Sequence, residues 1–235
     1  MRDVWLFALS FIGCLTHPAL DWLNVYGIRL LEPFSSQWFY GDTLFIIDVW
    51  LWALLGFATW FSLRREKKGG EWRRPARVAI TVALAYIGLN GAISFEAERN
   101  AVGRLIDVPA IASPVPLAFW EREIIWHWPG AEPEIARPSW GGWSATKGLD
   151  DNFTTTEKVV FIERYGVKLR SAIEVSETNS QVAAFLFWSR TPFVECAEDG
   201  SVLLRDARFY DPRARDRFTV ALPDVKCLPL AKSSP

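Results

Sequence analysis

The side chains best placed for chemistry sit early in the chain. His17 and Asp21 are four residues apart and Asn24 is seven from His17. On a helix these three share one face. A histidine and a carboxylate on one face make a first pair of metal ligands, and the histidine then needs an acceptor behind it. Asp42 and Asp48 follow, six residues apart, at the entry to an apolar run. A carboxylate inside such a run is costly and normally faces a partner or a cavity. The catalytic candidates are therefore His17, Asp21, Asp42 and Asp48, with His17, Asp21 and Asp48 as metal ligands. A metal-bound water would be the nucleophile. The same residues also have plain structural readings. His17 can be a hydrogen-bonded group at a membrane interface, Asp48 can pair with Arg29, and Asp21 and Asn24 can cap a short helix.

These residues must be positioned by apolar elements. Half of the 235 residues are hydrophobic and 13 are tryptophan, concentrated so that residues 1–95 read as apolar blocks and residues 96–235 as a soluble-looking chain. We expect two domains with that boundary: an all-α membrane part of about three transmembrane helices, and a small extramembrane α+β domain with an antiparallel sheet. A net charge of −1 gives no electrostatic basis for a nucleic-acid partner. Leu44 to Leu63 carries one charge in 20 residues and Val78 to Phe95 none in 18, near the length a span needs. Val4 to Leu15 spans only if its helix runs on through Leu20 or Leu23, past Pro18. With no small-x-small cleavage site it reads as a retained helix rather than a signal peptide. Arg64 to Arg77, with seven basic and two acidic residues, reads as a cytoplasmic turn at Gly69-Gly70. That places the N-terminus inside and everything after Phe95 outside.

The segment THPALDWLNVYG followed by RLLEPFSSQWFYGDTLFIIDVW resembles the YdjM-type family of inner-membrane metal-dependent hydrolases. The matching positions are His17, Asp21, Asn24, Tyr26, Gly27, Pro33, Phe34, Ser35, Trp38, Asp42, Phe45 and Asp48; Val49 stands where the family usually has proline. The resemblance implies a multi-pass protein of the bacterial inner membrane. It also implies kinship with zinc-dependent phospholipases C and single-strand-specific nucleases, whose metal-activated water cleaves phosphoesters. Two family motifs, Pro-Asp-x-Asp and His-Arg-x-x-Thr-His-Ser, are not found here. The chain is therefore either a piece of a longer protein or a degenerate member that kept the scaffold, and both stay open. With His17 and His127 the only histidines, an oxygen-rich donor set would suit magnesium or manganese better than zinc. The expected partners are the lipid bilayer and an unidentified small-molecule or lipid substrate. The alternative is a non-catalytic membrane-anchored interaction module.

In the second half, Glu96 to Asp107 reads as a short helix continuing the third run, and 108–118 as a proline-broken linker. Phe119 to Trp128 reads as an alternating strand, with Trp120, Glu121, Trp126, His127 and Trp128 along the membrane surface and His127 as a strand residue. Gly130 to Asp151 reads as loop. Ser176 to Trp188 reads as one helix capped by Ser176. Phe193–Cys196, Ser201–Tyr210 and Arg217–Leu222 read as closing strands, with a hairpin turn at residues 198–200. The segments around Phe185 to Phe193 and Leu203 to Phe209 also resemble the family's tail. Cys196 and Cys227 are either disulfide-bonded, if this half is extracytoplasmic, or two free thiols. There is no phosphate-binding glycine loop, Cys-x-x-Cys, HExxH or G-x-S-x-G.

Overall fold

The structure is a computed structural model that describes residues 2–105, 110–127, 143–147, 159–161, 169–197, 199–210 and 215–227. The chain divides into two compact units, Met1–Asn100 with Ala112–Glu123, and Ala101–Ile111 with Ile124–Pro235.

The first unit is helical. Helix α1 (Arg2–Leu23) is apolar almost throughout from Val4 to Leu15 and continues through Pro18. Val4, Trp5, Leu6, Phe7, Leu9 and Phe11 are all exposed, the pattern of a helix covered by lipid rather than water. Helix α2 (Val49–Lys67) and helix α3 (Arg73–Leu105) are joined by a tight turn in which Gly69 takes a φ of 70° and its N–H bonds back to Glu66 O. The Glu71 carboxylate accepts the Arg74 N–H and so caps α3.

Two helices, over Asp3–Leu23 and Arg73–Ala101, are long and apolar enough to cross a membrane. Three spans are not supported, and the reason is where α2 starts and stops. Residues 44–48 belong to an irregular segment, not to the helix, because Asp48 caps it. At its other end α2 carries Arg64, Arg65, Glu66 and Lys67. Of its 19 residues, 15 are left as an uncharged stretch, about 22 Å at 1.5 Å per residue against a hydrocarbon core of about 30 Å. The helix expected over Glu96 to Asp107 is the last part of α3, which continues without a break to Leu105.

The division between the units falls inside strands β1 (Ala110–Pro114) and β2 (Arg122–His127), which open a four-stranded sheet ordered β1-β2-β3-β4. The segment expected as a proline-broken linker thus supplies β1. Strand β2 starts at Arg122, not Phe119, since residues 119–120 form a turn. Trp126 is buried rather than laid along a surface; Trp128 and the side chain of His127 lie outside the described residues. Strand β3 (Trp143–Lys147) arises within the stretch expected as loop and pairs antiparallel with β4 (Val159–Phe161), Ser144 opposite Val160.

In the rest of the second unit, helices α4 (Leu169–Ser176) and α5 (Ser180–Trp188) pack on a three-stranded antiparallel sheet. Its strands are β5 (Pro192–Cys196), β6 (Val202–Asp206) and β7 (Thr219–Ala221), in that order. Ala172, Val182, Phe185, Val194, Val202 and Leu204 form the core between them. One helix was expected here and two are found. Ser176 ends α4, where its hydroxyl bonds to Ile173 O, and Asn179 caps α5 by accepting the N–H groups of Gln181 and Val182. The expected hairpin turn is present, with Gly200 at a φ of 82°. Strand β6 stops at Asp206 because that side chain accepts the Arg208 N–H and starts a 3₁₀ turn over Ala207–Phe209. Cys196 and Cys227 are disulfide-bonded, their Cα atoms 5.9 Å apart.

Candidate functional site

The end of α1 is shaped by Asn24. Its Oδ1 accepts the N–H groups of Tyr26 (2.7 Å) and Gly27 (3.2 Å), turning the chain out of the helix. Gly27 has a φ of 83°, and a Cβ there would lie 2.3 Å from the Tyr40 ring, so glycine is required. The chain returns through an antiparallel bridge between Ile28 and Phe39. It then presses Gly41 against the backbone of Trp22 and Leu23, where a Cβ would meet Trp22 O at 2.6 Å. Leu23 O accepts the N–H groups of both Thr43 and Leu44, which fixes the acidic segment beside the end of α1.

Within this frame the predicted site residues separate. His17 Nε2 and Asp21 Oδ2 are 3.2 Å apart on one face of α1, as their spacing requires. His17 is 81% exposed and Asp21 38%. Asn24 does not join them, since it lies beyond the helix end and is buried as the turn former. Arg29 pairs with Glu32 at 2.8 Å and lies over the Trp38 ring, and the partners of Asp48 are other groups. Asp42 takes a φ of 44°, and its carbonyl accepts the Ser94 hydroxyl. Asp48 has both carboxylate oxygens engaged: Oδ1 accepts the Leu51 N–H as the cap of α2, and Oδ2 accepts the Tyr86 hydroxyl, each at 2.8 Å.

The polar centre of this unit is one that sequence reading missed. Arg122 is 1% exposed. Its guanidinium donates to Ser94 Oγ, to the carbonyls of Phe119, Glu121, Asn90 and, more distantly, Thr43, and to Asn90 Oδ1. Burial pulls its pKa down to about 10, while the nearby Tyr86 and Asp48 oppose the fall, so it stays charged at neutral pH. The available signal was the i, i+4, i+8 spacing of Tyr86, Asn90 and Ser94, three polar residues along one face of an apolar helix.

A divalent metal requires about three convergent protein donors. Among the described residues no group of three or more His, Cys, Asp or Glu side chains comes together. His17 and Asp21 supply two donors at the edge of an open depression that Asp21, Asn24, Tyr26, Arg29 and Trp38 line. The donors that the described residues bring together therefore do not by themselves fit the implied metal.

No curated protein and no solved structure matches the chain. The family match ends before the Phe185 to Phe209 segments and says nothing of them. With two helices fit to cross a bilayer, it makes this a membrane protein: residues 1–97 match the model of the YdjM inner membrane protein family.

Proposed function

We propose that this chain is a membrane-anchored, non-catalytic module. Its polar interior near α1 and α2 serves structure, and its disulfide-closed second unit is the part that meets a partner outside the cytoplasm. The observation that carries this reading is the engagement of Asp48: the carboxylate that would extend the His17–Asp21 pair caps α2 and holds Tyr86 instead. Two features support the location. The start of α3 is basic at Arg73, Arg74 and Arg77, the signature of a cytoplasmic helix end. The Cys196–Cys227 bond belongs to an oxidising compartment. The test is metal analysis of the purified full chain, with a phosphodiester hydrolysis assay in vesicles. Well under one metal per chain, unchanged in His17→Ala, is the expected result. Stoichiometric metal lost in that variant overturns the reading.

A second reading is favoured by the exposed His17–Asp21 pair. In it the chain is a membrane-bound hydrolase acting on phosphoester or lipid-type substrates. His17 and Asp21 are ligands, Asp42 and Asp48 assist, and the remaining donors come from outside the described residues. The same metal measurement separates the two.

A further inference from the structure

Where α2 meets the start of α3, the helices do not close against each other. Ala58, Ala76 and Ala79 are too small to fill the space, and the resulting groove is mostly apolar, with Trp72 at its rim. Ser62 lines it and is 8% exposed, yet its hydroxyl has no hydrogen-bond partner among the described residues. A helical serine usually bonds its own backbone one turn back, so a buried hydroxyl left unused costs about 1–3 kcal/mol unless something else accepts it. The groove's lining extends to Glu66 and Trp72 at the turn end of the helix pair, and the basic residues flank that end. Arg64 lies over the Trp60 ring at 5.4 Å and Arg73 over Trp72 at 5.5 Å, with Arg65, Lys67, Lys68, Arg74 and Arg77 in the same turn region.

We propose that this groove binds one anionic phospholipid. The apolar floor takes an acyl chain, the Ser62 hydroxyl donates to an ester carbonyl oxygen, and the arginines around the turn take the phosphate. Each part answers a different portion of a diacyl phosphate: a hydrocarbon tail, a neutral acceptor at the glycerol level, and an anion at the surface. A free phosphate would use the arginines but neither the groove nor Ser62. A basic pocket at the cytoplasmic end of membrane helices is where anionic lipid is available. Glu66 also lines the groove and opposes the anion, so the site has a built-in brake that can be removed. The proposal stands whether the protein is catalytic or not.

The experiment is lipid retention by the full chain in detergent, read by native mass spectrometry, with phosphatidylglycerol and phosphatidylcholine of matched acyl chains as probes. A single phosphatidylglycerol retained with about tenfold preference is expected. Ala79→Phe, which fills the groove, should abolish retention. Ser62→Ala, which removes one atom and leaves the packing intact, should lower it about threefold to tenfold. Glu66→Gln should raise it. Millimolar inorganic phosphate should not displace the lipid. Equal retention of the two lipids overturns the proposal, as does full retention in both Ser62→Ala and Ala79→Phe, or displacement by phosphate alone.

Discussion

Among the described residues, the most deeply buried arginine of each unit is neutralised in a different way. Arg122 of the first unit is 1% exposed and Arg208 of the second 2%. Arg122 is held by neutral oxygens, mostly backbone carbonyls, drawn from residues as far apart in sequence as Thr43, Asn90 and Phe119. Arg208 bonds through its Nε and Nη2 to Asp206, two residues away, and Asp206 also accepts the hydroxyls of Ser189 and Thr191. Dipoles spread around Arg122 stabilise the cation with no carboxylate bonded to it directly, Asp48 acting only from nearby, and tie several chain segments to one point. The pair at Asp206 cancels charge locally, and the Ser189 and Thr191 hydroxyls and the Trp188 ring tie it to the end of α5 and the start of β5. Losing one group should therefore do different things in the two units. In the second it exposes a bare charge to a dry interior. In the first it releases neutral carbonyls, each a smaller loss.

The largest effect is expected from Asp206→Ala. It leaves the Arg208 cation buried without its carboxylate, which costs about 3–5 kcal/mol. The double variant Asp206→Ala with Arg208→Met should recover most of that, because an apolar replacement of both partners removes the desolvation along with the attraction. Thermal unfolding of the full chain in detergent checks both. The same pair sets a pH dependence. Burial pushes the Asp206 carboxyl up, but Arg208, together with the Ser189 and Thr191 hydroxyls, outweighs it and holds the pKa below its ordinary value. A carboxyl depressed on folding gives stability that is full above the unfolded pKa of about 4 and drains away as pH falls through the folded one. Wild type should therefore lose stability below about pH 4, and Asp206→Asn should lack that part of the loss. If both lose stability alike in acid, the pair does not govern the second unit.

Next in size is the disulfide. Cys196 and Cys227 are 31 residues apart in sequence, and closing a loop of that length is worth about 3.5 kcal/mol in the chain-entropy account. Cys196→Ser with Cys227→Ser should lower the melting temperature of the second unit and leave the Arg122 network untouched. That network is read separately by limited proteolysis of the loop between α1 and α2. Coupled loss in both readouts would mean that the two units do not respond independently.

The contrast also explains what was legible in the sequence. The four-residue spacing of His17 and Asp21 predicts their contact because a single helix fixes it. The turn at Gly200 and the strands around it follow from local residue chemistry. Arg122 was not legible, since its distant partners come from two separate segments, at Thr43 and along Asn90 to Ser94, and nothing local to it announces burial. The part Asp48 plays was hidden for the same reason. A run of apolar letters does not show that this carboxylate caps α2 and reaches Tyr86 on another helix. The span count failed with it, because a run of hydrophobic letters from Leu44 to Leu63 does not reveal that its first residues leave the helix. Helices α4 and α5 read as one because Ser176 and Asn179 are about equally good caps, and the chain uses Asn179.

Arg122→Met should cost about 2–3 kcal/mol, less than Asp206→Ala, since it strands carbonyls rather than a charge. Arg122→Lys should recover only part, because an ammonium cannot reproduce the planar fork that reaches Ser94, Asn90 and Phe119 together. Proteolytic release in the first unit, compared with the unchanged unfolding of the second, is the measurement. A lysine variant as stable as wild type would show that charge, and not geometry, is what the site requires.

The smallest change is the one that separates the two readings of the candidate site. Asparagine caps a helix about as well as aspartate, so Asp48→Asn keeps the bond to the Leu51 N–H through its one oxygen, and its Nδ2 donates to the Tyr86 oxygen where Oδ2 had accepted. As a cap, Asp48→Asn should cost only a few tenths of a kcal/mol, and Asp48→Ala about 1 kcal/mol. A ligand behaves otherwise. Losing the negative charge would weaken a bound cation whichever oxygen it used, while stability in chelator would barely move. Melting both variants with and without a chelator sets these against each other. A drop from wild type to Asp48→Asn that disappears in chelator would identify Asp48 as a metal ligand and restore the hydrolase reading. Near-equality of wild type and Asp48→Asn in both conditions, with Asp48→Ala lower by the value of a cap, places Asp48 with Arg122 among the groups that hold the first unit's backbone in place.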